Sequence, residues 1–173
     1  VTVLGEGEGA NNRDLERARG NGILREGETL NHGRYESYKS RLLQAADAQG
    51  YFDARYRVAE VLVSQERNTA RVNLILDTGA HYRIGDIRIE HDILSDDLID
   101  RYVTLETGQV YESEDLVKLK SELQSSNYFG SVSVEPQLNA LKDDQVPVNI
   151  ELLRGPKHSY SVGAGYASDI GPR

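Results

Sequence analysis

The chain of 173 residues contains no cysteine and no methionine. Without cysteine there is no disulfide framework, no thiol nucleophile and no thiolate metal site. A Cys-free chain suits an oxidising compartment without placing the protein in one. Without methionine there is no initiator, and Val1 already opens a strand-like run. The chain therefore reads as an internal segment of a longer protein, with any signal peptide or anchor lying elsewhere. No uninterrupted apolar run approaches the roughly 18 residues of a membrane helix. Nor is there a basic stripe: a net charge of −8 and a pI near 5.0 oppose the electrostatic footprint of a nucleic-acid binder. What remains is an ordinary globular balance, 38% hydrophobic and 28% charged, which is too apolar for disorder throughout.

The organising feature is a repeat. Gly50-Tyr51-Phe52-Asp53 returns as Asn127-Tyr128-Phe129-Gly130. Each copy ends an amphipathic run (35–49 and 113–126) and precedes an alternating one (55–63 and 131–138), so each marks a helix handing over to a strand. Gly50 and Asn127 are residue types that tolerate the left-handed conformation just past a helix end. The aromatic pairs Tyr51-Phe52 and Tyr128-Phe129 are expected to turn inward and be buried. Their mutation should then unfold a domain before it changes any partner.

Around this pair the chain divides into two β-α-α-β-β units. In the first, Val1 and Val3 open a short strand, Asn11 and Asn12 can cap a helix through Arg19, and Gly20 and Gly22 end it. Asn31 can cap the second helix, where Tyr35, Tyr38, Leu42, Ala45, Ala46 and Gln49 give one buried stripe. Residues 55–63 and 69–77 follow as strands, the latter with Val72, Leu74 and Leu76 on its core face. In the second unit Ile87 and Ile89 mark the first strand. Ser95 is the expected cap of a helix with Asp96, Asp97 and Asp100 in its first turns, ending at Tyr102, Val103 and Leu105. Ser113 is expected to cap a helix striped by Leu116, Leu119 and Leu123. Val146, Val148, Ile150 and Leu152 alternate in the last strand. The span from Gly27 to Tyr51 exceeds that from Gly108 to Tyr128 by about one helical turn.

Pro136 cannot donate to a ladder, which puts the strand after the second corner on a sheet edge and the last strand of each unit in the middle. Each unit is then a three-stranded mixed sheet covered by two helices on one face. The expected fold class is α+β, with units at 1–79 and 80–155 and a linker and strand at 156–173. The open edges expected to bind partners carry Arg57, Val58 and Val61 in the first unit, and Ser131, Val132, Ser133 and Val134 in the second. Gly79, His81 and Tyr82 are matched by Gly155, His158 and Tyr160, so something should follow the second unit as the second follows the first.

No catalytic, cofactor or metal site is expected. A small hydrolase built on an acidic pair at Asp96-Asp97-Asp100 or Asp143-Asp144 is the alternative from another class. Helix N-terminal charge explains the first group and a hairpin turn the second, and neither has the positioned partners that acid-base work requires. His32, His81, His91 and His158 lack zinc-ligand spacing. Gly163 and Gly165 precede no helix, as a phosphate-binding loop must. In the tail, Tyr160, Val162, Ala164 and Tyr166 alternate with small residues, the dyad pattern of a membrane β-strand.

The unit order, the Gly-Tyr-Phe corner and above all Tyr160-Ser161-Val162-Gly163-Ala164-Gly165-Tyr166 through Asp169-Ile170-Gly171-Pro172-Arg173 resemble the TamA-like outer-membrane assembly factors of the BamA/TamA superfamily. That resemblance implies two tandem POTRA domains, second-like and third-like, ahead of the first strand of a barrel. It also implies a place at the periplasmic face of the outer membrane of a Gram-negative bacterium. The implied partners are unfolded outer-membrane protein clients, a TamB-like inner-membrane-anchored protein and, through the barrel, the outer membrane; no nucleic acid, no small-molecule substrate and no cofactor is implied. Asn127 departs from the Gly usual in the family. The POTRA pair of a two-partner secretion transporter, recognising one exoprotein, is the alternative.

Overall fold

The computed structural model describes residues 1–20, 24–92, 96–126 and 128–154. The cap expected at Ser95, the helix-closing Asn127, the side chains of Asp96 and Asp100, and the tail 156–173 lie outside the described residues. The elements run β1 (Thr2–Glu6), α1 (Arg13–Gly20), α2 (His32–Ala48), β2 (Arg55–Ser64) and β3 (Thr69–Asp77). They continue as β4 (Arg83–His91), α3 (Asp96–Tyr102), α4 (Ser113–Ser125), β5 (Phe129–Pro136), a 3-10 turn (Leu138–Ala140) and β6 (Gln145–Arg154). The described residues form two mixed sheets of three strands, ordered β1-β3-β2 and β4-β6-β5. In each, the first strand is parallel to the central one and the other outer strand is antiparallel to it. The fold is α+β, two tandem units of β-α-α-β-β, as the repeat in the sequence requires.

Local chemistry accounts for the helices. The Asn12 carboxamide oxygen accepts from the amides of Asp14 and Leu15, and that of Asn31 accepts from Arg34, so both cap helix starts. On α2 the residues Tyr35, Tyr38, Leu42 and Ala46 form the buried stripe, and on α4 Leu116, Leu119 and Leu123 do so. Helix α2 has 17 residues and α4 has 13, which is the extra turn read from the glycine-to-tyrosine spacing. Three details differ from expectation. Ser113 does not cap α4: Glu112 holds the cap position, its carbonyl accepting from Asp115, and no side chain closes that turn. Helix α3 stops at Tyr102 because the chain turns away to bury Leu105. Strand β5 starts at Phe129 and ends at Pro136, where the Gln137 amide leaves to bond the Pro147 carbonyl and Leu138 begins a 3-10 turn.

Val72, Leu74 and Leu76 of β3 and Val146, Val148, Ile150 and Leu152 of β6 are all buried, so the most apolar strand of each unit is its centre. The helices cover one face of each sheet. Unit one packs Tyr35, Tyr38 and Leu42 on β3; unit two gathers Ile84, Leu116, Leu119, Leu123 and Phe129 on β6. The buried phenols are satisfied: the Tyr38 hydroxyl donates to the Arg19 carbonyl (2.7 Å) and the Tyr56 hydroxyl to the Lys39 carbonyl (3.0 Å).

Burial pushes the phenols of Tyr38, Tyr51, Tyr56, Tyr82 and Tyr111 above the ordinary tyrosine value of 10.0. The neutral phenol is thus favoured in the folded state. Its contribution to stability is whole below pH 10 and is lost as pH climbs through the raised folded values. We expect an unfolding transition on the alkaline side in which the phenolate absorbance of these tyrosines appears together with loss of helix signal. Ionisation that precedes loss of structure would contradict it.

Candidate functional site

The open strips of the two sheets are the first candidate. Among the described residues, strands β2 and β5 each pair on one side only, with β3 and β6. The sequence pointed to these two edges, but a three-stranded sheet has two, and β1 and β4 are also outermost. They are less accessible. Strand β1 has five residues, and a Cβ on its Gly5 would meet the Arg19 guanidinium. The start of β4 is covered by the Gly108–Tyr111 turn: the Ile84 amide donates to the Gln109 carbonyl, and the Gly108 amide to the Ile84 carbonyl.

Both β2 and β5 begin with a bulge. Register shifts between Tyr56 and Val58 in β2, and between Phe129 and Ser131 in β5. A bulge twists an edge and interrupts pairing there, so each regular strip lies beyond it. Arg57 is the extra residue of the first bulge, and its guanidinium is tied to Glu6 at 2.6 Å. Of the expected edge residues, Val58 and Val61 fall on the regular strip of β2 and Ser131, Val132, Ser133 and Val134 on that of β5. Val132 and Val134 face the core and are buried, whereas Ser131 is exposed and Ser133 half-exposed on the other face. At the far end of β2, Leu62 and Val63 stand exposed at 52% and 69%. Pro136 ends the β5 strip.

The second candidate is the corner between the units. Gly50 follows the end of α2 at φ 77°, and the amides of Gly50 and Tyr51 donate to the carbonyls of Asp47 and Ala46. That pair of bonds is the Schellman closure that favours glycine at this place. Tyr51 is buried, its ring stacked on His81 with centroids 4.3 Å apart. Phe52 does not turn into its own unit. It packs against the core of unit two, edge-on to Tyr82 (5.4 Å) and Tyr111 (5.0 Å). The Gly50 carbonyl accepts from the Tyr82 amide at 3.0 Å, and the Tyr82 hydroxyl donates to the Asp53 carboxylate at 3.1 Å. A Cβ on Gly50 would lie 2.7 Å from the Tyr111 carbonyl oxygen. The corner read from sequence as a packing signature is therefore a joint that locks unit one onto unit two.

The second corner differs. Phe129 is buried, but Tyr128 is 56% exposed, against the expectation that all four aromatics are internal. Strand β5 starts immediately at Phe129, so the bulge after it sends Phe129 inward and leaves Tyr128 at the strand's outer end, its ring 5.9 Å from Tyr102. The joint's other residues, Asp53, Tyr82 and Tyr111, were not singled out as contacts in the sequence. Their signal was positional: Tyr82 follows Gly79 in the junction, and Tyr111 follows the turn glycine Gly108.

Residues 82–155 match the family described as POTRA, surface antigen variable number repeat. The second unit is thus similar to a POTRA domain. Two solved structures show that the POTRA fold extends over both units. The crystal structure of BamA from Haemophilus ducreyi lacking POTRA domains 1–3 aligns with a TM-score of 0.56 at 18% identity, covering 88% of this chain and 28% of that one. POTRA domains 3–5 of Haemophilus influenzae BamA align at 0.55 and 17% identity, covering 88% of this chain and 59% of that one. The chain thus spans only part of each. At such identities the likeness concerns the fold, in which the POTRA edges β2 and β5 and the joint at Phe52 are this chain's own geometry.

The acidic groups fall where the sequence placed them structurally. Asp143 and Asp144, at φ 51° and 56°, are the two central residues of the turn closed by Lys142 and Gln145. Among the described residues no group of His, Asp and Glu is arranged to hold a metal ion, and no helix is long and apolar enough to cross a membrane.

Proposed function

We propose that this chain is a periplasmic interaction module of an outer-membrane protein assembly factor, and that it binds extended clients or a partner by adding their strand to the open side of β2 or β5. The observation that carries this reading is the pair of edge strips beyond the bulges, Val58 to Ser64 and Ser131 to Glu135, each regular and, among the described residues, unpaired on one side. Main-chain hydrogen bonds give such an edge its affinity irrespective of client sequence. The POTRA match and the BamA likeness support the setting at the outer membrane. Domain limits near Gly79 and Gly155 fit the repeat.

The finer assignment, to the TamA-like branch with a TamB-like inner-membrane-anchored partner, is supported by the tail motif from Tyr160 to Arg173. Magnitudes favour transient contacts. A strand along one edge makes about four or five hydrogen bonds at about 0.5–1.5 kcal/mol each, while association costs roughly 4–15 kcal/mol. A single edge therefore binds weakly, and firm capture needs both POTRA edges together.

Photo-crosslinking residues at Ser131 and Ser133, and at Val58 and Val61, are expected to capture unfolded outer-membrane proteins or the partner. The same probes at Lys118 and Glu122 on the opposite, helical face should not. Capture from the helical positions alone would sink the edge reading.

A further inference from the structure

The outer faces of the two sheets, the sides away from the helices, differ beside their open edges. In sheet one Leu4 lies opposite Ile75 and Ile75 opposite Val58, so three apolar residues form one row across all three strands. The row stands on the outer face, because Leu74 and Leu76 on either side of Ile75 are buried under the helices. Polar pairs border it: the Arg57 guanidinium donates to the Glu6 carboxylate at 2.6 Å, and the Asn73 carboxamide to the Glu60 carboxylate at 2.7 Å. Beyond Glu60 on the same face, Leu62 lies opposite Arg71 and is 52% exposed. In sheet two the rows Arg88–Asn149–Glu135 and Glu90–Glu151–Ser133 occupy that face.

The apolar row ends at the open side of β2. A strand added there sets its alternate residues directly beside Val58, Glu60 and Leu62, close enough for side-chain pairs to form. We propose that β2 selects its strand by this face, and that its occupant is an extended segment whose alternate residues run apolar, basic, apolar against Val58, Glu60 and Leu62. This rests on the strand-adding reading and names what that edge takes. The Glu60 carboxylate supplies the charge that a lysine or arginine complements, and the pattern reads the same in either strand direction. On the inner side Ala59 and Val63 are exposed, so the intervening residues of the occupant are apolar too. Strand β5 makes no such choice: its outer side presents Ser131, Ser133 and Glu135, and its inner Val132 and Val134 are already buried. A helix fits the row poorly. The row is one residue wide, and a helix about 10 Å across would also cover the charged pair of Arg57 and Glu6.

The test titrates the isotopically labelled 173-residue chain with a peptide carrying Leu-Val-Lys-Val-Leu between polar flanks, read by the amide shifts of β2. Replacing both leucines by serine should weaken binding about tenfold, each cross-strand apolar pair contributing about two- to fivefold. The double variant Val58→Thr, Leu62→Thr, whose threonines suit a strand, should lose that preference. Glu60→Lys should reverse the choice between this peptide and one with Glu in place of Lys. Leu4→Thr should change nothing, since β1 lies three strand spacings, roughly 14 Å, from the added strand. Equal affinity for the leucine and serine peptides, with the β2 amides still shifting, would overturn the selection and leave strand addition standing. Unchanged binding of a peptide with alternate amides N-methylated would overturn strand addition itself, and the selection with it. A loss in Leu4→Thr as large as in the double variant would lay the occupant across the sheet face and overturn the proposal. So would sedimentation showing β2 paired with a second copy of the chain.

Discussion

Phe52→Ala is expected to destabilise the unit that does not contain it. The ring belongs to unit one by sequence but packs against the core cluster of unit two, between Tyr82 and Tyr111. Full truncation of a buried phenylalanine costs about 3–5 kcal/mol; Phe52 is half-buried, so about 2 kcal/mol is the expected loss. For a domain of this size that is about 10 °C in Tm. The loss should appear as a split in the calorimetric trace: unit two melts earlier while unit one keeps its transition. A single transition that shifts as a whole would mean the units share one cooperative core. An early melting of unit one would mean that Phe52 serves its own unit after all.

The second large effect is expected at Gly50. Valine there meets two obstacles. The left-handed conformation at φ 77° disfavours any side chain by about 1–2 kcal/mol, and a β-branched one more. The added Cβ also falls 2.7 Å from the Tyr111 carbonyl oxygen, a backbone atom that moves only if the joint opens. Gly27 supplies the control, with φ 81° and, among the described residues, nothing within 4 Å of its virtual Cβ. Gly27→Val should therefore show the conformational cost alone, about 1–2 kcal/mol, and Gly50→Val about 3 kcal/mol or more. Urea midpoints measure both. Equal losses would show that the contact with Tyr111 yields without cost.

The periodic parts of the fold were open to reading from sequence. Stripes such as Tyr35, Tyr38 and Leu42 and alternations such as Val146 to Leu152 report which side faces the core, because the burial that holds them is set by neighbours on the same element. Pro136 told the edge from the centre for a similar reason, through a missing donor on its own backbone. What stayed hidden depends on residues far apart in the chain. The direction in which Phe52 points is decided by Tyr82 and Tyr111, and the exposure of Tyr128 by the placing of a bulge between Phe129 and Ser131. Neither leaves a local pattern. The expected open edges were recognised on one side of each sheet only, since the partial covering of β4 comes from the Gly108–Tyr111 turn, a contact with no periodicity.

The parallel pairing within each sheet bears on the order in which a unit assembles. Strand β1 lies beside β3 with Thr2 opposite Asn73, and β4 beside β6 with Arg83 opposite Gln145. By contrast β2 and β3 are joined by the short turn between Ser64 and Thr69. The hairpin closes a small loop, and the parallel pair closes nearly the whole unit, which is the slower event. In a chain that emerges from its amino-terminal end, the first strand of each unit must wait unpaired until its last one arrives. A unit cut short by even its final strand keeps no sheet at all.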